Sequence, residues 1–173
     1  MSLSTLTSRR VNWLHRAASK SVIDKGTIKD LVDHLIDGEE SFLVWADVMG
    51  KDLVKELFSN YGGNILTAMN GLKPVKTGES EWCDIQARIL LTIGDLCLKH
   101  NMMTVAGAKR CLDAILSDIS RYDATTSAGI RYNMAVGIAV AKLSSRLKFM
   151  KDYTAKDEKK EKAAVEILRN LEI

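Results

Sequence analysis

Three histidines and three cysteines are the residues of this 173-residue chain best suited to metal or nucleophilic chemistry. Asp30, His34 and Asp37 stand at i, i+4 and i+7, so a helix would put them on one face as potential metal ligands. A metal site also needs further ligands and a supporting outer shell. An exposed acidic helix face accounts for the same letters, and is the preferred reading. His15 lies in a basic stretch beside Arg16, where it suits a polar rim. His100 falls where a helix should end and there complements the helix dipole. Cys83, Cys97 and Cys111 are an odd set without a CxxC pair, which argues against a disulfide framework and a zinc ribbon. Their spacing of fourteen is nearly four helical turns, so Cys83 and Cys97 share a similar helix face. They read as buried, reduced thiols in a reducing compartment, cytoplasmic with a nuclear alternative and not secreted. No histidine stands beside Cys83, and HExxH, GxGxxG, Walker and GxSxG patterns are missing. Gly62-Gly63-Asn64 reads as a plain turn and cap rather than an anion site. The expectation is a protein that is not an enzyme and has no metal and no cofactor.

The charges are more informative. Residues 1–26 hold five cations against one acid, a net of +4, and residues 27–60 hold three cations against eight acids, a net of −5. Residues 122–153 return to +3. Patches of one sign steer partners beyond what the overall charge of +3 suggests. Arg16 and Lys20 are i, i+4 neighbours, with Arg9 two turns earlier; Lys142 and Arg146 repeat the relation, with Arg131 three turns upstream. Trp13, near Arg9, Arg10 and Arg16, offers a stacking platform for bases, or equally a seal for the first helix.

The elements that must position these groups read as helices throughout. Val11, Leu14, Ala18 and Val22 mark a first helix over about 8–24, ended by Gly26. Thr27 reads as the cap of a second, with Ile28, Leu31, Val32, Leu35 and Ile36 at strict helical spacing up to Gly38. Phe42, Trp45, Ala46 and Met49 mark the next as far as Gly50, and Leu53, Val54, Leu57 and Phe58 another, up to an expected turn at residues 60–63. Residues 71–79 contain the only proline and read as a linker or surface loop. They separate an N-terminal helical part (1–70) from a C-terminal part (80–173), or interrupt one continuous domain. Trp82, Ile85, Ile89, Ile93 and Leu96 then mark a long helix, Met102-Met103 an exposed or half-buried corner, and residues 108–119 a helix capped by Thr104. Residues 128–150 are the most apolar, so this helix should be central; Thr154 caps a last, narrowly amphipathic one. The fold class is all-α, a compact bundle of seven to nine helices. The aromatic content of 6% argues against a large sheet, and no apolar run is long enough to span a membrane.

Two functions follow. The first is a non-enzymatic nucleic-acid-binding protein, RNA favoured, that meets phosphates through Arg9, Arg10, Arg16, Lys20, Arg131, Lys142, Arg146 and Lys148. The second is a structural or adaptor protein, a homo-oligomer or one with a protein partner, joined by contacts between the basic arm and the acidic block. In composition and helix pattern, though by no motif, the chain resembles small helical nucleocapsid-associated or matrix proteins encoded by viruses. A pocket enzyme is a third reading, weakened by the missing Glu/His clusters of bundle enzymes.

Overall fold

The computed structural model describes residues 25–70, 76–117, 125–150 and 153–171. Seven helices account for nearly all of them: α1 (Lys25–Asp37), α2 (Glu39–Met49), α3 (Lys51–Asn70), α4 (Glu79–Leu98), α5 (Val105–Ser117), α6 (Ser127–Phe149) and α7 (Ala155–Leu171). No strand occurs among the described residues. The all-α bundle expected from the periodicity is the fold.

The stops between the first three helices are glycines in the left-handed region, Gly38 at φ 119° and Gly50 at φ 97°. Only glycine adopts such angles without steric cost. Two other expected breaks are helical. α1 runs through Gly26 and Thr27, so Thr27 is not a cap, and α3 runs unbroken through residues 60–64, with no turn there. Glycine inside a helix costs roughly 1 kcal/mol relative to alanine. In α3 tertiary packing outweighs that cost, because Gly62 lies against α5: a Cβ there would stand 3.1 Å from Arg110 Cβ and Cys111 Sγ. Gly107 of α5 answers it, since its own Cβ would stand 3.2 Å from the Phe58 backbone carbon. The two helices run in the same direction, as the pairs Phe58–Gly107 and Gly62–Cys111 advance together.

α4 and α6 are likewise parallel. Asp84 pairs with Arg131 and Asp95 with Lys142, each 47 residues ahead. Gly94 lets them approach, its place for a Cβ lying 3.5 Å from the Ala139 Cα. α7 folds back antiparallel along α6, with Leu168 over Gly137 and Glu161 at Lys148. Its start is a capping box: Thr154 Oγ1 accepts from the Asp157 amide at 3.2 Å, and Asp157 Oδ2 accepts from the Thr154 amide at 3.0 Å. Thr126 caps α6 by accepting from the Gly129 amide at 3.0 Å, and Thr104 does the same for Gly107 at 3.1 Å.

One cluster of buried side chains extends from Leu31 to Ala164 and takes residues from both sides of 71–75. Trp45, Phe42 and Phe58 are its largest fully buried members, and Trp82 is buried too. Met102 and Met103 are also buried, not an exposed corner, because the chain turns inward after α4. Asn101 takes the left-handed conformation there (φ 52°), and the Met102 amide donates back to the Leu96 carbonyl at 2.7 Å. α6 touches α4, α5 and α7. Its remaining stripe, with Met134 and Ile138, faces solvent.

Candidate functional site: the charged faces

The four late cations lie along α6, and each has a local partner. Arg131 grips Asp84 with two hydrogen bonds, Nε to Oδ1 at 2.8 Å and Nη2 to Oδ2 at 3.2 Å. The bidentate contact raises the Arg131 pKa further, first through the hydrogen bond and then through the Asp84 charge. Lys142 donates to Asp95 Oδ1 at 2.6 Å. Lys148 meets Glu161 at 2.9 Å and lies 4.6 Å from the centre of the Tyr153 ring. Arg146 alone has a neutral partner, the side-chain oxygen of Asn101, and its guanidinium carbon stands 5.6 Å from the centre of the Phe149 ring. Three of the four positive charges are therefore compensated within a few ångströms. Such a row presents alternating signs along α6. Arg9, Arg10, Arg16 and Lys20, the other four residues of the predicted nucleic-acid surface, lie outside the described residues, as do Trp13 and His15.

The acidic block behaves differently. Glu39 binds His100 Nε2 at 2.9 Å, which ties the start of α2 to the end of α4. Asp37, Glu40, Asp47, Asp52 and Glu56 are exposed and form no ion pair among the described residues. Glu40, Val44 and Asp47 stand at i, i+4 and i+7, so they share the outer face of α2. Glu39, Glu40 and Asp52 also sit in first helical turns, where negative charge favours the helix.

The chemical candidates resolve as packing. His34 does not lie on an exposed acidic face: it is fully buried, its ring stacked on Trp45 at 5.2 Å. α1 turns its Leu31, Val32 and Leu35 stripe inward, and His34, between Asp33 and Leu35, goes with it. No group of three His, Cys, Asp or Glu residues is placed to hold a metal among the described residues. All three cysteines are buried and reduced. Burial pushes the Cys97 thiol up to about 11 and raises Cys111 as well, so neither is poised as a thiolate. Burial, then the Asp84 charge, raises Cys83, which donates to the Ala128 carbonyl at 3.2 Å.

A shallow groove runs along α7, floored by Val165 and edged by Lys148, Tyr153 and Glu161. The Tyr153 hydroxyl donates to Glu161, which burial alone would protonate more easily. The hydrogen bonds from Tyr153 and Lys148, with the Lys148 charge, reverse that and bring the Glu161 pKa below the usual range. This trio pins α7 to the end of α6. No helix among the described residues is long and apolar enough to cross a membrane.

Sequence reasoning did not single out Phe149 and Met150. Phe149 is 75% exposed, at the C-terminal end of α6. For Phe149 the signal was present in the residues, since it departs from the buried series Val136, Ala139, Val140, Leu143 and Leu147; Met150 continues that spacing but lies past the end of α6, where it is exposed. The chain matches no protein-family model, no curated protein and no solved structure, so these surfaces stand on their own residues.

Proposed function

We propose that this chain is a non-catalytic, self-assembling or adaptor protein whose acidic block on α1–α3 receives a cationic protein surface. One observation carries the reading. The late cations are mostly compensated locally by carboxylates of α4 and α7, whereas five exposed carboxylates of α1–α3 have no ion-pair partner among the described residues. Uncompensated surface charge of one sign speeds encounter with the opposite sign and excludes like-charged partners. An acidic face repels nucleic-acid phosphates, so this geometry favours association with protein over the RNA reading.

Light scattering on the full chain at low and high salt tests this. Association should weaken as salt rises, because exposed charges further apart than about 8 Å are screened at physiological ionic strength. The variant Glu40→Gln, Asp47→Asn, Asp52→Asn, Glu56→Gln should lose it even at low salt. Salt-independent monomers would refute the proposal. So would tight, salt-sensitive binding of a single-stranded RNA that this variant leaves unchanged and that fails when Arg9, Arg10, Arg16 and Lys20 become Gln.

A further inference from the structure

Three of the seven large apolar side chains exposed among the described residues gather where α4 and α6 end: Leu98 (41% exposed), Phe149 (75%) and Met150 (48%). The register of the parallel pair places them together. Asp95 meets Lys142 on the outer edge of the seam. Leu98 stands three residues past Asp95, Arg146 four past Lys142, and Phe149 three past Arg146, so each continues that edge by a single helical turn. The Arg146 guanidinium ties the two ends, donating to Asn101 and lying 5.6 Å from the centre of the Phe149 ring. Three carboxylates near this end are already taken: Asp95 by Lys142, Glu161 by Lys148 and Glu39 by His100. Two cations are left over, since Lys99 has no ion-pair partner among the described residues and Arg146 meets only the neutral Asn101.

A projecting apolar cluster with free cations at its rim fits one kind of surface. An anionic bilayer takes apolar side chains into its headgroup–acyl boundary and attracts Lys and Arg to its phosphates. It needs no matching shape, and none of the three apolar side chains lines the groove along α7. Lys and Arg have the reach for this, since their stems lie along apolar surface while their charged heads stay at headgroup level. We infer that the joint end of α4 and α6 is a site of peripheral attachment to an anionic phospholipid surface. Phe149 enters first, Leu98 and Met150 lie beside it, and Lys99 and Arg146 meet the headgroups. Attachment through three side chains and two charges is reversible. The inference goes beyond the acidic block of α1–α3 and does not depend on it.

Flotation of the full chain with vesicles tests this. It should bind phosphatidylcholine vesicles that contain phosphatidylserine, bind those of phosphatidylcholine alone far less, and come off as salt rises. Phe149→Glu should weaken binding about tenfold or more, and Lys99→Gln/Arg146→Gln roughly thirtyfold. Phe149 is mostly exposed, so Phe149→Glu keeps its helical circular dichroism. Phe149→Trp should bind as the unaltered chain does and add a fluorescence that brominated lipid quenches. Val44→Glu adds the same charge on α2 and should leave binding nearly unchanged. No binding to the mixed vesicles, equal binding to both kinds, an equal loss from Val44→Glu, or a loss only when Arg9, Arg10, Arg16 and Lys20 become Gln would overturn the inference. So would light scattering in which Phe149→Glu abolishes self-association while vesicle binding stays, since this end would then be a protein interface. The Gln/Asn variant of the acidic block should still bind vesicles. If that variant keeps its self-association, the docking reading fails and this inference stands.

Discussion

α3 meets α5 through glycines, whereas α4 meets α6 through opposite charges as well as a glycine. In the first pair Gly62 and Gly107 bring backbone against side chain, and the Ser59 and Thr104 hydroxyls hydrogen-bond beside them. In the second, Asp84–Arg131 and Asp95–Lys142 repeat over eleven residues, about 16 Å of helix, along the outer edge of the seam. Both pairs are parallel, so direction does not explain the difference. Exposure does: the glycine contact lies beneath the surface and the charged one along it. Cations that look like a patch in a linear sequence are here the outer fastening of a helix seam. Asp37, Glu40, Asp47, Asp52 and Glu56 of α1–α3 have no ion-pair partner among the described residues, and so they remain available.

The contrast can be broken from its strongest side first. Gly107→Leu should cost about 1–3 kcal/mol, because the atoms it would strike at 3.2–3.3 Å include the Phe58 and Ser59 backbone, which cannot swing aside. Urea unfolding measures this, and an unchanged midpoint would mean that α3 and α5 are not so close. Lys142→Met should cost less, about 0.2–1 kcal/mol, since the pair with Asp95 is only partly shielded. A double-mutant cycle with Asp95→Asn isolates the pair. Arg131→Gln should leave the melting temperature unchanged, because this pair is about half exposed. A drop as large as that of Gly107→Leu would reverse the ranking of the two seams.

How far could these features be read from the sequence? The glycine stops at Gly38 and Gly50, the caps at Thr104 and Thr154 and the stripes of α4 and α6 were legible, because each is a local matter of backbone or period. Gly62-Gly63 was misleading because its role is set by a helix 45 residues away; seen locally, two glycines and an asparagine spell a turn. His34 looked exposed for a similar reason: only the position of Trp45 shows that the ring is needed as core. The charges of the site were legible in number and sign. Their pairing was not, since Asp84 and Asp95 find partners 47 residues on, at a separation no helical period announces.

A local effect concerns pH. The Glu161 pKa is lowered in the folded chain, so its stabilising contribution is present above the unfolded carboxylate value, about 4.3, and is lost as pH falls through the folded one. Hydrogen exchange should show α7 loosening on acidification below that value before α3–α6. Tyr153→Phe should narrow the gap between the two, because it removes one of the hydrogen bonds that hold the pKa down. Equal exchange in α7 and α4 across this range would show that the trio does not govern the docking of α7.

The skipping pattern of the helices also governs how the chain can assemble. α4 finds α6, and α3 finds α5, only after an intervening helix has been made and folded out of the way. Every such contact closes a loop of some 45–49 residues, and loop-closure entropy must be met before burial compensates for it. A bundle of sequential hairpins collects its contacts locally and folds fast; this one carries a higher contact order and should fold more slowly at equal stability. On the ribosome, the inner face of α4, with Trp82, Ile89, Ile93 and Leu96, waits for most of fifty further residues before its cover arrives. That interval is when the nascent chain is most open to aggregation and most in need of a chaperone.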